Sequence, residues 1–150
     1  MLLSTIKNKK HKTMVYDRTL KESYDVIVVG LGTAGAIAAI TAGRKGLKVL
    51  GIESMNCMGG VCTAAGIPGY YYGSKGGLYE EIDQKTAELT GLGYTKARGI
   101  NQELKKLILE QEAIKAGVMV EYESTLIGVF MEGKRIVGIR WISPKGVKEA

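Results

Sequence analysis

The sequence predicts an α/β fold made of a parallel sheet, a crossover helix and a β-meander, and three observations carry that expectation. The run "YDVIVV", residues 24–29, is short, continuous and apolar, as in a strand covered on both faces. From Gly32 to about Arg44 the chain is alanine-rich and helical in pattern. "KVLGIE", residues 48–53, is a second buried-strand run. Together these make one βαβ unit of about 30 residues.

The remaining elements follow in order. Residues 1–23 form a polar, basic lead-in, and residues 24–150 form one domain. Residues 54–76 hold Gly, Pro, Ser and three tyrosines with no period, which reads as a long loop of the kind that is usually functional. "GLYEEIDQKTAEL" reads as a helix and "TGLGYTKARG" as a connector. "NQELKKLILEQEAIKAG" is a further helix with Leu104, Leu107, Ile108 and Ile114 as its apolar stripe and Gly117 at its C-terminal cap. Strand signals follow at 118–122, 126–131 and 135–142, separated and followed by the turn signals "EGK" and "SPKG".

Composition excludes several classes of function. The net charge of +6 is concentrated in residues 1–22, which carry +4, leaving +2 on the other 128 residues. Apart from Tyr16, no Phe, Trp or Tyr is interleaved with these basic residues for base stacking, so a solvated arm is expected rather than a nucleic-acid surface. The N-terminus has no apolar run after its positive charges, and no window of about 18 apolar residues exists. A soluble cytoplasmic protein without membrane contact is expected, its two cysteines free in a reducing compartment. The single histidine, His11, lies in the basic lead-in, so no Ser-His-Asp site is expected, and no cluster has metal-ligand spacing.

The stretch "VIVVGLGTAGAIAA" carries the chemistry. Glycine costs backbone entropy that alanine would not, so three of them at fixed spacing imply a use for the missing side chains. Gly30 permits the tight turn from strand to helix. Gly32 lets backbone approach a pyrophosphate, and Gly35 lets the helix pack closely on the strand. The phosphates would then sit at a helix N-terminus, where free N–H groups and the helix dipole favour negative charge. Glu53 lies 23 residues after Gly30, at the end of the second strand, where a carboxylate accepts hydrogen bonds from adenosine ribose hydroxyls. A carboxylate there repels a 2′-phosphate and argues against NADP. Ala39 and Gly46 are expected to add small residues at the helix–sheet contact.

With these residues the chain resembles the FAD-dependent oxidoreductases of the glutathione-reductase-like superfamily, which have two dinucleotide-binding domains. The extended pattern GxGxxGx3Ax6G is met at Gly30, Gly32, Gly35, Ala39 and Gly46, and "ESMNCMGG" follows Glu53 with the glycine pair Gly59 and Gly60. The likeness extends over about residues 24–142, through the "GGLYEEI" helix, a helix ending in "AGV" and a "G.R..G." hairpin. It implies a Rossmann-like FAD/NAD(P)-binding fold, a bound FAD and a small-molecule substrate. Gly30, Gly32, Thr33, Ala34 and Gly35 would surround the pyrophosphate, and Glu53 would hold the adenosine ribose. Ser54 and Gly59 would be further cofactor contacts. Gly60 and the residues after it would run toward the flavin ring, and Val120 or Tyr122 would lie near the adenine. The late "ATG" or "GD" motif that closes such FAD sites does not appear before Ala150. The fold is therefore expected to be incomplete in this chain. A further part or a second polypeptide would complete the FAD and substrate sites, pair with strands in the 118–150 region and supply any histidine at the flavin. The protein is expected to be an oligomer or one chain of a heteromeric complex.

Two catalytic candidates remain. Cys57 and Cys62 have CxxxxC spacing, but the glycine pair falls between them, which favours two ordinary thiols over a redox disulfide. Cys62 could also contact a flavin. Tyr71, with Tyr70 and Tyr72, could donate to a substrate or could simply pack. The main functional expectation is the FAD-binding part of a flavin oxidoreductase transferring hydride or electrons. The alternatives are a non-catalytic nucleotide-binding subunit and an NAD-dependent dehydrogenase fragment.

Overall fold

A computed structural model of the 150-residue chain describes residues 22–67, 69, 76–90 and 99–150. Six strands and three helices appear in the order β1 (Val26–Val29), α1 (Thr33–Arg44), β2 (Val49–Ile52), α2 (Gly77–Thr90), α3 (Gln102–Lys115), β3 (Met119–Glu121), β4 (Thr125–Glu132), β5 (Arg135–Ser143) and β6 (Gly146–Glu149). A 3-10 turn, Gly60–Cys62, interrupts the loop after β2.

The strands form two sheets. β1, β2 and β3 are parallel in that order, with Val28 opposite Gly51 and Gly51 opposite Val120. β4, β5 and β6 form an antiparallel meander. The parallel sheet lies between the helices and the meander, and the strand pattern shows why. Side chains alternate faces along a strand. Val26, Val28 and Val49 join Ala36, Ala39, Ile40, Ile108, Leu109 and Ala113 on the helix side. Ile27, Leu50 and Ile52 join Ile139 and Trp141 on the meander side. A strand with both faces covered needs apolar residues at consecutive positions, and β2 is buried along its whole length.

Several expectations need correction. β1 is only half-buried, and Val29 is 47% exposed, because β1 pairs with β2 alone and is an edge strand among the described residues. The stretch at 118–122 belongs to the parallel sheet, and β6 supplies the third strand of the meander. Gly46 does not sit at the helix–sheet contact. It is exposed, with φ +81°, in the turn that closes α1, and its N–H donates to the Gly43 carbonyl. Gly43 makes a close contact of its own, with the end of α3, since a Cβ there would lie 2.5 Å from the Ala116 carbonyl oxygen.

The stripe expected on α3 is also displaced. Leu107 and Ile114 are exposed, while Lys105 and Glu112 are buried beside Ile108, Leu109 and Ala113. The charged residues can be inside because each is paired. Lys105 Nζ lies 2.6 Å from Asp83 on α2. Glu112 receives Arg44 of α1 at 2.5 Å, Lys115 at 2.9 Å and Lys85 of α2 at 3.0 Å. Arg44 and Lys85 also share Glu81. Polar helix positions thus join the three helices, which an apolar-stripe argument cannot anticipate.

This network fixes an acid dependence. Burial disfavours the charged form of Glu112, but hydrogen bonds from Lys115, Lys85 and Arg44 outweigh it and hold its carboxyl at about 2, below the ordinary 4.5. The folded chain therefore binds fewer protons than the unfolded chain between these values. The stabilisation is complete above pH 4.5 and disappears as pH falls toward 2. We expect Glu112→Gln to cost about 2 kcal/mol at neutral pH, discounted for the partly exposed cations. Thermal melts of both proteins as a function of pH should show that gap closing on acidification.

Candidate functional site

The glycine-rich turn between β1 and α1 is a set of close approaches. Gly30 has φ +88°, a left-handed conformation that glycine adopts without strain, and its N–H extends the ladder to the Ile52 carbonyl at 2.7 Å. A Cβ at Gly35 would lie 1.9 Å from the Gly30 carbonyl oxygen, so the first turn of α1 rests directly on the turn before it. Gly32 differs: a Cβ there would meet nothing within 4 Å. Packing therefore requires glycine at Gly35 but not at Gly32, where the space opens outward.

The loop after β2 closes on this turn. The Gly59 N–H donates to the Leu31 carbonyl at 2.9 Å, and the Thr33 hydroxyl donates to the Gly59 carbonyl at 3.0 Å. Gly59 and Gly60 have φ +99° and +54°. A Cβ at Gly60 would come 3.0 Å from the Gly32 Cα, and one at Gly59 would strike Thr63 and Leu109. The glycine pair is what lets the second loop lie against the first.

Glu53 stands at the junction. It is buried, and its Oε2 accepts the Leu31 N–H at 2.6 Å. Its Oε1 accepts the Met55 N–H at 2.9 Å and the Ser54 hydroxyl at 3.1 Å. Its backbone is bound to β3 and the turn after it, with Glu53 N–H to the Glu121 carbonyl and Ser124 N–H to the Glu53 carbonyl, both at 2.9 Å. In that turn Glu123 takes φ +51°, uncommon for a residue other than glycine, while its N–H donates to the Met55 carbonyl. Tyr122 is half-buried nearby. Burial, with the charges of Glu110, Cys57 and Glu53, raises its hydroxyl to about 12, so it remains protonated at neutral pH.

The predicted residues thus come together unequally. Gly30, Gly32, Thr33, Gly35, Glu53, Gly59 and Gly60 meet at the carboxyl ends of β1 and β2. Ala34 is exposed on the first turn of α1, and Ser54 is exposed beside Glu53. Val120 lies in β3 opposite Gly51, with its side chain against the helix-side core. Cys57 and Cys62 are free thiols. Buried Cys62 has its Sγ 3.2 Å from the Tyr79 hydroxyl and 3.8 Å from the Thr33 hydroxyl, and the Lys105 ammonium lies over the Tyr79 ring. Tyr71, with Tyr70 and Tyr72, lies outside the described residues.

Sequence reasoning missed Leu31, Gly51, Met55 and Tyr79. Gly51 had a readable signal, a glycine inside a buried strand, which often marks a close approach. Here Leu31 fills the space above it, and a Cβ at Gly51 would lie 2.9 Å from its side chain.

The arrangement fits a dinucleotide cofactor. Among the described residues no side chain caps α1 and no acidic residue occupies its first turn, so its free N–H groups and dipole favour negative charge there. Gly32 keeps that end open, and the Glu53 carboxylate is held beside it by the N–H of Leu31 in the same turn. Among the described residues no group of acidic, histidine or cysteine side chains could hold a metal ion. No helix among them is long and apolar enough to cross a membrane.

Comparison with known proteins agrees with this geometry. The family described as FAD dependent oxidoreductase matches residues 25–150. Digeranylgeranylglycerophospholipid reductase of Methanosarcina acetivorans is 32% identical over 141 residues, covering 81% of this chain and 34% of that protein. Dihydrolipoyl dehydrogenase 3 of Pseudomonas aeruginosa is 51% identical over 47 residues, 31% of this chain and 10% of that protein. The chain therefore spans about a third or less of these curated relatives. Among solved structures, 3-ketosteroid-Δ4-(5α)-dehydrogenase of Rhodococcus jostii superposes with a TM-score of 0.59 at 16% identity, covering 87% of this chain and 45% of that one. That likeness concerns the fold alone.

The two helix-turn glycines should respond differently to one methyl group. Gly35→Ala drives a Cβ into the Gly30 carbonyl and should cost about 3 kcal/mol. Gly32→Ala should stay within about 0.5 kcal/mol of wild type. Chemical denaturation of both variants measures this contrast, and equal losses would refute it.

Proposed function

The chain belongs to the FAD dependent oxidoreductase family, its cofactor is FAD, and on that premise we propose that it is the FAD-binding part of a flavin oxidoreductase transferring hydride or electrons to or from a small organic substrate. Bound FAD supplies the redox chemistry at its flavin ring. The chain's own work is to bind and orient that group. The uncapped N-terminus of α1 and the open Gly32 backbone would receive the pyrophosphate, and Glu53 would accept hydrogen bonds from the adenosine ribose. The observation that carries this reading is the Glu53 carboxylate, buried and held against the glycine turn. Placement in the glutathione-reductase-like branch is supported by the dihydrolipoyl dehydrogenase relatives.

Glu53→Gln removes the charge that strengthens the ribose hydrogen bonds. FAD affinity should fall about tenfold, in keeping with charge-assisted hydrogen bonds worth roughly 1.5–3 kcal/mol. Titration followed by flavin fluorescence measures it, and an unchanged affinity overturns the assignment of Glu53.

The reading extends to assembly: further residues or a second polypeptide complete the FAD and substrate sites. Three features support this. β1 pairs on one side only among the described residues. The buried Trp141 Nε1 has no acceptor among them. A groove of about 450 Å³, lined by Tyr24, Leu50, Met119, Trp141 and Val147, opens between the sheets. Residues 1–150 purified alone should therefore bind flavin without turnover. A stable monomer carrying stoichiometric FAD and catalysing substrate oxidation would refute this part.

A further inference from the structure

The two oxygens of Glu53 are not equally occupied. A carboxylate offers about four lone-pair positions, two on each oxygen. Oε1 has both filled, by the Met55 N–H at 2.9 Å and the Ser54 hydroxyl at 3.1 Å. Among the described residues Oε2 has only the Leu31 N–H, at 2.6 Å, and keeps one position. The two amide donors are fixed, because the Leu31 carbonyl is bound by Gly59 and the Met55 carbonyl by Glu123. Ser54 is exposed, and a rotation about one side-chain bond takes its hydroxyl to water.

We propose that Ser54 is a specificity-determining residue whose hydroxyl stands in for one hydroxyl of a vicinal diol, holding the second position on Glu53 Oε1 until the ribose of a dinucleotide displaces it. The inference rests on the FAD reading above and deepens it. A cis-diol brings two donors to one carboxylate. The first takes the position left on Oε2. The second finds Oε1 filled and must displace Ser54. A ligand with a single hydroxyl uses Oε2 and leaves Ser54 in place. Ser54 thus keeps the buried carboxylate saturated and oriented without ligand, and it lowers the affinity for diols alone.

The test is calorimetric titration of the chain with FAD, ADP and 2′-deoxy-ADP, on wild type, Ser54→Ala and Ser54→Thr, with thermal melts to show that the variants fold. Removing the competing hydroxyl should tighten ADP and FAD about fivefold, the equivalent of one net hydrogen bond. Affinity for 2′-deoxy-ADP should not change, and Ser54→Thr should behave as wild type. Unchanged or weaker ADP binding by Ser54→Ala, or an equal effect on ADP and 2′-deoxy-ADP, overturns the proposal while leaving the FAD reading intact. Failure of the wild type to bind either ADP or FAD overturns both.

Discussion

Among the described glycines the tightest site lies between the first turn of α1 and the turn that precedes it, where Gly35 faces the Gly30 carbonyl oxygen with no room for a methyl group. Much of the rest depends on this contact. It sets how near α1 lies to β1, and so where the helix N-terminus emerges relative to the strand ends. It leaves Leu31 wholly buried over Gly51 and turns its N–H toward Glu53. The loop bearing Gly59 and Gly60 can then close on the same turn through Leu31 and Thr33. A small displacement of α1 would separate the N-terminus of the helix from the carboxylate beside it, although both would still exist.

The helices are held to each other by different physics. Behind the apolar layer, Arg44, Glu81, Lys85, Glu112 and Lys115 join α1, α2 and α3. Removing charges from water is costly unless they are paired, and Glu112 meets that cost with three cationic partners. Ion pairs need defined geometry where apolar contacts only need proximity. The network therefore suits a helix layer that must hold the N-terminus of α1 at a set position.

A module of this kind is compatible with many reactions. The curated relatives include dihydrolipoyl dehydrogenases and a phospholipid reductase, and the solved structures of similar fold include a steroid dehydrogenase and a halogenase. A shared fold does not carry a shared reaction, because function lies in sites grafted on the fold. The described residues accordingly concentrate their polar precision at the ends of β1 and β2.

The sequence by itself determined the βαβ unit, the glycine spacing, the acid at position 53 and the turn glycines, because each is written in residues close along the chain. Backbone conformations such as the left-handed Gly30 and Gly117, and the alternation of strand faces, are local constraints that residue type expresses directly. Only the tertiary structure decided which helix face was inside, that β1 is an edge among the described residues, that Gly43 rather than Gly46 makes a close contact, and that Ser54 and Leu31 share Glu53. These depend on partners far apart in sequence, such as Arg44 with Glu112 and Leu31 with Glu53. A lysine or glutamate reads as surface until its counter-charge is known, and a buried carboxylate has no readable set of donors until the loops around it have closed.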